Sequence, residues 1–215
     1  MGHCSPGVSW AKQTPHAQAP SRTYSGQEHR FRDSRPSEPP GCPRIRPIEY
    51  ASFVHPRRDP GCFREAHDFL RPLSREYDHA LVIFDRVGSG REDRTAAQLS
   101  AEVRARLAAS GWEDRCAVIV VDPELEVWAF GPSSQVERSL EWPRRRPSLR
   151  RWLEIQGLWH RGQPKPRDPK EALERALRDI GKPRSSAIYR RIGERVSLQR
   201  CEDSAFLRLR NTLTT

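Results

Sequence analysis

No run in this chain approaches the ~20 consecutive apolar residues that a bilayer-spanning helix requires. The N-terminus has no apolar core of the kind a secretory signal carries. Met1-Gly2 leads to Pro6, where a myristoylation signal has Ser or Thr. A cytoplasmic protein without a membrane partner is the expectation. Cysteine is also sparse: Cys4, Cys42, Cys62, Cys116 and Cys201 lie far apart and form no CxxC or CxxH pair. That pattern argues against a disulfide framework and against a structural zinc site. Cys116 opens an apolar run and reads as a small buried residue. His55, His67, His79 and His160 show no metal-ligand spacing, no Cys–His pair suggests a nucleophile, and no internal repeat is present. Apolar residues make up only 35% of the 215, with a mean hydropathy of −0.82. Part of the chain is therefore expected to be unpacked, and the packed part to have a very polar surface.

Positive charge, by contrast, is abundant. The net charge is +10 and the sequence pI is about 10.0, with Arg far outnumbering Lys. The planar donor fork of Arg suits phosphate, so DNA or RNA is the first partner class to consider. An Arg-rich, Lys-poor composition drawn from a GC-rich genome explains the same excess. The densest run, PRRRPSLRR (143–151), places Arg144, Arg145 and Arg146 together as candidate backbone contacts, or as the solvated start of a helix.

Residues 1–43 mix Pro, Ser, Gly, His and Arg with isolated aromatics and follow neither a period of 2 nor one of 3.6. The expectation is a disordered or non-native segment, because it offers too little apolar surface to offset the entropy of ordering it. From Ile45 the pattern changes. IRPIEYASFV (45–54) alternates as a strand, and Phe63, Ala66, His67 and Leu70 fall on one helical face that stops near Pro72. HALVIF (79–84) is a continuous apolar run ending at Asp85, which predicts a central parallel strand covered on both faces. Thr95-x-x-Gln98 is a capping box, with Leu99, Val103 and Leu107 continuing its helix, and CAVIVV (116–121) predicts the next strand. Strand and helix alternate, so right-handed crossovers and a parallel sheet are expected.

Beyond Asp122 only helices are expected: a short one over 124–130, one from Ser148, one capped by Asp168-Pro169-Lys170-Glu171, one over 185–196, and a last one carrying Phe206, Leu209 and Leu213. The expected organisation is an N-terminal segment (1–43), an α/β core (44–142) and a helical extension (143–215).

In open parallel sheets ligands bind beyond the carboxyl ends of the strands. Two apolar strands here end in acids, bringing Asp85, Glu92, Asp93, Asp122, Glu124 and Glu126 within reach of one another, with Asp85, Asp122, Glu124 and Glu126 as candidate ligands for Mg²⁺ facing phosphate oxygens. The bland alternative is that Asp122-Pro123-x-x-Glu126 is a helix cap with its capping-box partner. Gly88-Ser89-Gly90 lacks the GK[ST] ending of a P-loop and reads as a flexible loop, although its amides could cradle a phosphate.

Several segments together have a family likeness: HALVIFDRVGSGRE, VIVVDPELEVWAF, PKPRDPKEALERAL, SSAIYRRIGERVSL and CEDSAFLRLRNTL. Over about Ile45–Leu213 the chain resembles the small Toprim-like component of bacterial methylation-associated antiphage defence systems. The resemblance implies a small parallel Toprim-like sheet of three to four strands with flanking helices and an all-helical C-terminal extension. It further implies a Mg²⁺-dependent, nuclease-type site with Asp85 and Glu126 as its catalytic acids, Lys170 contacting phosphate, and other defence proteins as partners. A non-catalytic adaptor or regulatory subunit of a defence complex is the alternative. Two departures bear on that choice. Asp85-Arg86-Val87 has only the first acid of a paired Asp-x-Asp, and no acid-bearing apolar strand precedes Ile45. The expectation is that the authentic first strand is absent, through an altered start or a frame change upstream.

Overall fold

The computed structural model describes residues 8–11, 29–30, 48–131, 135–142, 147–195 and 201–214. They form a mixed α/β fold of five strands and seven α-helices among the described residues. Two compact units are distinguished. The first takes the described residues up to Val121 and those from Arg208 on; the second takes Asp122–Leu207.

The first unit opens with β1 (Val8–Ala11) and β2 (His29–Arg30), followed by β3 (Ala51–Phe53). α1 (Arg58–Leu70) then buries Phe63, Ala66 and Leu70 on the face that the sequence spacing predicts, and ends in a 3-10 turn over Arg71–Leu73 containing Pro72. β4 (His79–Asp85) leads to α2 (Ala96–Leu107) and β5 (Cys116–Val121). The Thr95 capping box is fully formed: Gln98 N–H donates to Thr95 Oγ1 at 3.2 Å and Thr95 N–H donates to Gln98 Oε1 at 3.0 Å.

The sheet order is β2-β3-β1-β4-β5, and only β4 and β5 are parallel neighbours. β1 lies between β3 and β4 and runs antiparallel to both, while β2 is antiparallel to β3. β3, β4 and β5 therefore point the same way, but the expectation that they form a contiguous parallel sheet is corrected by an intervening strand. Of the alternation expected over 45–54, residues 45–47 lie outside the described residues, and the rest is a three-residue strand, with Ile48 and Tyr50 exposed. β1 comes from the segment in which no strand was expected. Its four residues are too few for a period-2 pattern to stand out from the surrounding Pro, Ser and Gly.

The core of this unit joins Phe53, Phe63, Leu70, Val82, Phe84, Leu99, Val103, Leu107 and Trp112. Along β4, Ala80, Val82 and Phe84 are buried while Leu81 and Ile83, on the opposite face, are only partly buried, so the expectation of a strand fully covered on both faces is corrected to one buried and one partly covered face. At the amino ends of β4 and β5, the Arg115 guanidinium donates to the carbonyls of Tyr77 (3.1 Å), Asp78 (3.0 Å), Ser74 (3.3 Å) and Gly111 (2.7 Å). It also lies 5.3 Å from the Trp112 ring. Gly111, with φ of 90°, makes the turn that brings its carbonyl there.

In the second unit a 3-10 turn (Leu125–Trp128) precedes α3 (Gln135–Ser139), α4 (Leu149–Ile155), α5 (Pro169–Asp179) and α6 (Ser186–Arg195), and α7 (Ser204–Thr214) begins there, its residues from Arg208 on being counted with the first unit. Ser148 caps α4 and Asp168 caps α5, as their positions predict. α3 was not expected. Its five residues span little more than one turn, too short for a helical period to show. This unit has its own core, built on Phe130, Leu140, Trp142, Leu153, Trp159, Leu173 and Leu177.

Candidate functional site

At the carboxyl end of β4, Asp85 is 9% exposed and its backbone N–H donates to Asp59 Oδ1 at 3.2 Å. Asp59 stands in the first turn of α1. Cys62, on the next turn, is 1% exposed, and its thiol is pushed up to about 12 by burial and then by the charges of Asp59 and Asp85. Such a thiol stays protonated and inert at neutral pH. Asp59 is thus the acid that accompanies Asp85. The sequence concealed it because Asp59-Pro60-Gly61 has the composition of a turn, whereas these residues begin α1. Gly61 is needed there: a Cβ at this position would lie 2.0 Å from His55 Nδ1. His55 is buried, its Nδ1 accepts the Arg57 N–H at 3.1 Å, and burial lowers its pKa.

The loop after Asp85 is more ordered than its composition suggested. Ser89 is fully buried and its hydroxyl donates to the Arg86 carbonyl at 2.7 Å. Gly88 and Gly90, at φ of 93° and 77°, turn their N–H groups onto Glu92 Oε1 at 2.8 and 3.3 Å. Backbone donors of this kind hold the Glu92 carboxyl below its ordinary pKa.

The other candidate acids belong to the second unit. Asp122 is exposed, and Glu124 and Glu126 are buried. The capping-box alternative does not form: the turn starts at Leu125, behind Glu124, and no side chain caps it. Glu124 instead reaches α5. Its Oε1 accepts the Lys170 N–H at 3.0 Å, and its Oε2 lies 4.0 Å from Lys170 Nζ. Burial raises its pKa above the usual carboxylate range, opposed by the Lys170 N–H and reinforced by the Glu126 charge. Glu126 Oε1 lies 4.0 Å from Arg184 Nη2, and Arg184 also pairs with Glu174. Burial, then the Glu126 charge, raises the pKa of the Tyr189 phenol.

The residues proposed for metal binding therefore divide between the units, Asp85 in one and Asp122, Glu124 and Glu126 in the other. Glu124 and Glu126 each face a cation of their own unit. Among the described residues, no three His, Cys, Asp or Glu side chains gather as a metal-holding group. Lys170, expected to contact phosphate, directs both its N–H and its ammonium toward Glu124. Arg144, Arg145 and Arg146 lie outside the described residues. Residues 48–121 carry eleven Lys and Arg against twelve Asp and Glu, so the basic excess is not in that stretch; residues 1–47 carry seven against three.

A feature invisible in the sequence is a cavity of about 960 Å³ in the second unit, lined by Phe130, Leu149, Trp159, Cys201 and the Lys165–Asp203 pair, among others. The Arg150 guanidinium covers the Trp159 ring at 4.9 Å on its wall. Its lining spans residues 130–204, and no local motif announces it. No helix among the described residues is long and apolar enough to cross a membrane. Comparison of the chain with protein-family models, curated proteins and solved structures found no significant match in any of the three.

Proposed function

We propose that this protein is a non-catalytic adaptor or regulatory component of a bacterial antiphage defence complex. The defence setting rests on the sequence resemblance alone. The absence of catalysis is argued from one observation: the two strand-following glutamates are buried against groups of the protein itself, Glu124 accepting the Lys170 N–H with the ammonium at 4.0 Å and Glu126 lying 4.0 Å from Arg184. A carboxylate that binds Mg²⁺ must offer its oxygens to the ion, and the hard-ion site needs several such oxygens together. Here each of the two carboxyls faces groups of the protein itself, an arrangement suited to holding a shape that a partner reads.

The competing reading, a Toprim-like Mg²⁺-dependent nuclease, draws on the Asp59–Asp85 pair at the end of β4. A plasmid-nicking assay in Mg²⁺ or Mn²⁺ separates the two. The adaptor reading expects no metal-dependent nicking above background, and equal behaviour of the parent, Asp85→Ala and Glu126→Ala. It also expects co-elution with the product of a neighbouring defence gene on size exclusion. Metal-dependent cleavage by the parent that is lost in both variants, with far-UV circular dichroism unchanged, refutes the adaptor reading.

A further inference from the structure

We propose that the loop Arg86–Glu92 is a phosphate-binding site whose resident anion is the Glu92 carboxylate. Successive backbone N–H groups turned to one side form a concavity that binds anions. Gly88 and Gly90 turn two N–H groups to one side here, both meeting on the one Glu92 oxygen, while the Ser89 N–H between them donates to the Arg86 carbonyl at 3.2 Å. Their positive φ angles are what direct the amides there, and a side chain at either position would be strained. The loop is fixed from below, because Ser89 is fully buried, its hydroxyl donates to the Arg86 carbonyl, and its Oγ accepts the Arg91 N–H at 3.2 Å. The concavity is thus built before any ligand arrives.

Two cations stand beside it. Arg86 Nη1 donates to the Glu92 carbonyl at 3.0 Å, which places its guanidinium alongside the loop. The Arg64 guanidinium lies over Gly90, with Nη2 3.3 Å from where a Cβ would be. Arg64 is exposed, and its side chain makes no ion pair or hydrogen bond among the described residues. A guanidinium beside amides that already hold a carboxylate is the arrangement that recognises a phosphate oxyanion. Asp59 Oδ2 lies 3.8 Å from the Cβ position of Gly88. Its charge keeps the ligand on the Arg64 side. Glu92 is exposed and tethered by only a few residues, so it leaves for solvent when a phosphate replaces it. This inference rests on no part of the adaptor reading.

The test follows the Gly88 and Gly90 amide resonances in ¹H–¹⁵N spectra of the full chain. Inorganic phosphate is titrated in one arm and an unphosphorylated oligonucleotide in the other, against the parent, Glu92→Ala and Glu92→Gln. Saturable shifts of both amides are expected, with phosphate binding at least ten-fold tighter in Glu92→Ala than in the parent. Adding Arg64→Met is expected to weaken that binding several-fold. Glu92→Gln keeps a neutral acceptor for the loop and carries the same comparison if Glu92→Ala disorders it. Shifts with phosphate alone uphold the site for terminal phosphates, and shifts in both arms uphold it for backbone diesters. Absence of saturable shifts at these amides in both variants overturns the proposal, as does binding that is unchanged when Glu92 is replaced.

Discussion

Asp203 has the best-defined energetic role in the second unit, and its loss is the sharpest test of how that unit is held. Its Oδ1 accepts three donors: the Trp128 indole N–H at 3.0 Å, and the N–H groups of Ala205 (3.1 Å) and Phe206 (3.2 Å) in the first turn of α7. Its Oδ2 meets Lys165 Nζ at 3.2 Å. Replacing Asp203 by Ala removes an N-cap, worth about 1 kcal/mol. It also leaves the indole N–H without its acceptor, about 1–3 kcal/mol. The ion pair adds on the order of 1 kcal/mol or less, because the Lys165 side chain is 21% exposed. These terms share one carboxylate and do not add fully, so the expected loss is about 3 kcal/mol. For a chain of this size that lowers Tm by roughly 6–12 °C. Urea denaturation followed by circular dichroism, with tryptophan emission as a second probe, measures it. Asp203→Asn keeps an oxygen for the cap and the indole, and is expected to cost about a third as much. A loss below about 1 kcal/mol in Asp203→Ala, or equal losses in the two variants, refutes this account of the bonding at Asp203.

Gly61→Ala places a methyl group where the His55 ring stands. The ring must move and its bond to the Arg57 N–H breaks, so a loss of about 2 kcal/mol is expected in thermal melts. Combining it with His55→Ala is expected to cost less than the sum of the two, since the obstacle is then gone. Burial raises the pKa of the Glu124 carboxyl above its ordinary value. The folded state therefore binds its proton more tightly than the unfolded state does. The stabilisation from this group is fully present below the unfolded pKa and is lost as pH rises through the folded one. Glu124→Gln lacks that loss and retains an acceptor for the Lys170 N–H, so its stability relative to the parent is expected to increase from about pH 4.5 upward and then level off. A pH-independent difference in urea midpoints refutes the assignment. Thr95→Ala dissolves the capping box of α2 and is expected to cost about 1 kcal/mol in denaturant unfolding, with Thr95→Ser recovering most of it.

Most helices from α1 onward were legible because their determinants are local. The spacing of Phe63, Ala66 and Leu70 gives the buried face of α1, and Thr95, Ser148 and Asp168 cap the helices that follow them. The apolar runs ending at Asp85 and Val121 likewise mark β4 and β5 and their parallel pairing. What was not legible depends on residues distant in sequence. β4 needs a neighbour on each side, but nothing in HALVIF says that one of them is drawn from residues 8–11 in the opposite direction. The acids show the same limit. Asp85 could be found at a strand end, yet its companion Asp59 lies 26 residues earlier in a stretch with turn composition. Glu124 and Glu126 stood out as ligand candidates because a sequence shows where carboxylates lie along the chain. It does not show that Lys170 and Arg184, some fifty residues on, come back to face them.

Arg115 bonds four main-chain carbonyls with one side chain. Carbonyls at strand entrances and helix exits normally turn to water, and water at such points is where main-chain amides begin to exchange with solvent. A charged fork occupying those oxygens leaves little for water to do, and the Trp112 ring beneath it adds an apolar floor. The amino ends of β4 and β5 are thereby sealed, and deuterium is expected to reach the Ala80 amide, which donates to the Arg115 carbonyl at 2.9 Å, only when the unit opens as a whole. A lysine there could satisfy one or two of the four oxygens and would let solvent in at the rest. The slow clock of this unit is set at the end of the sheet opposite its acids.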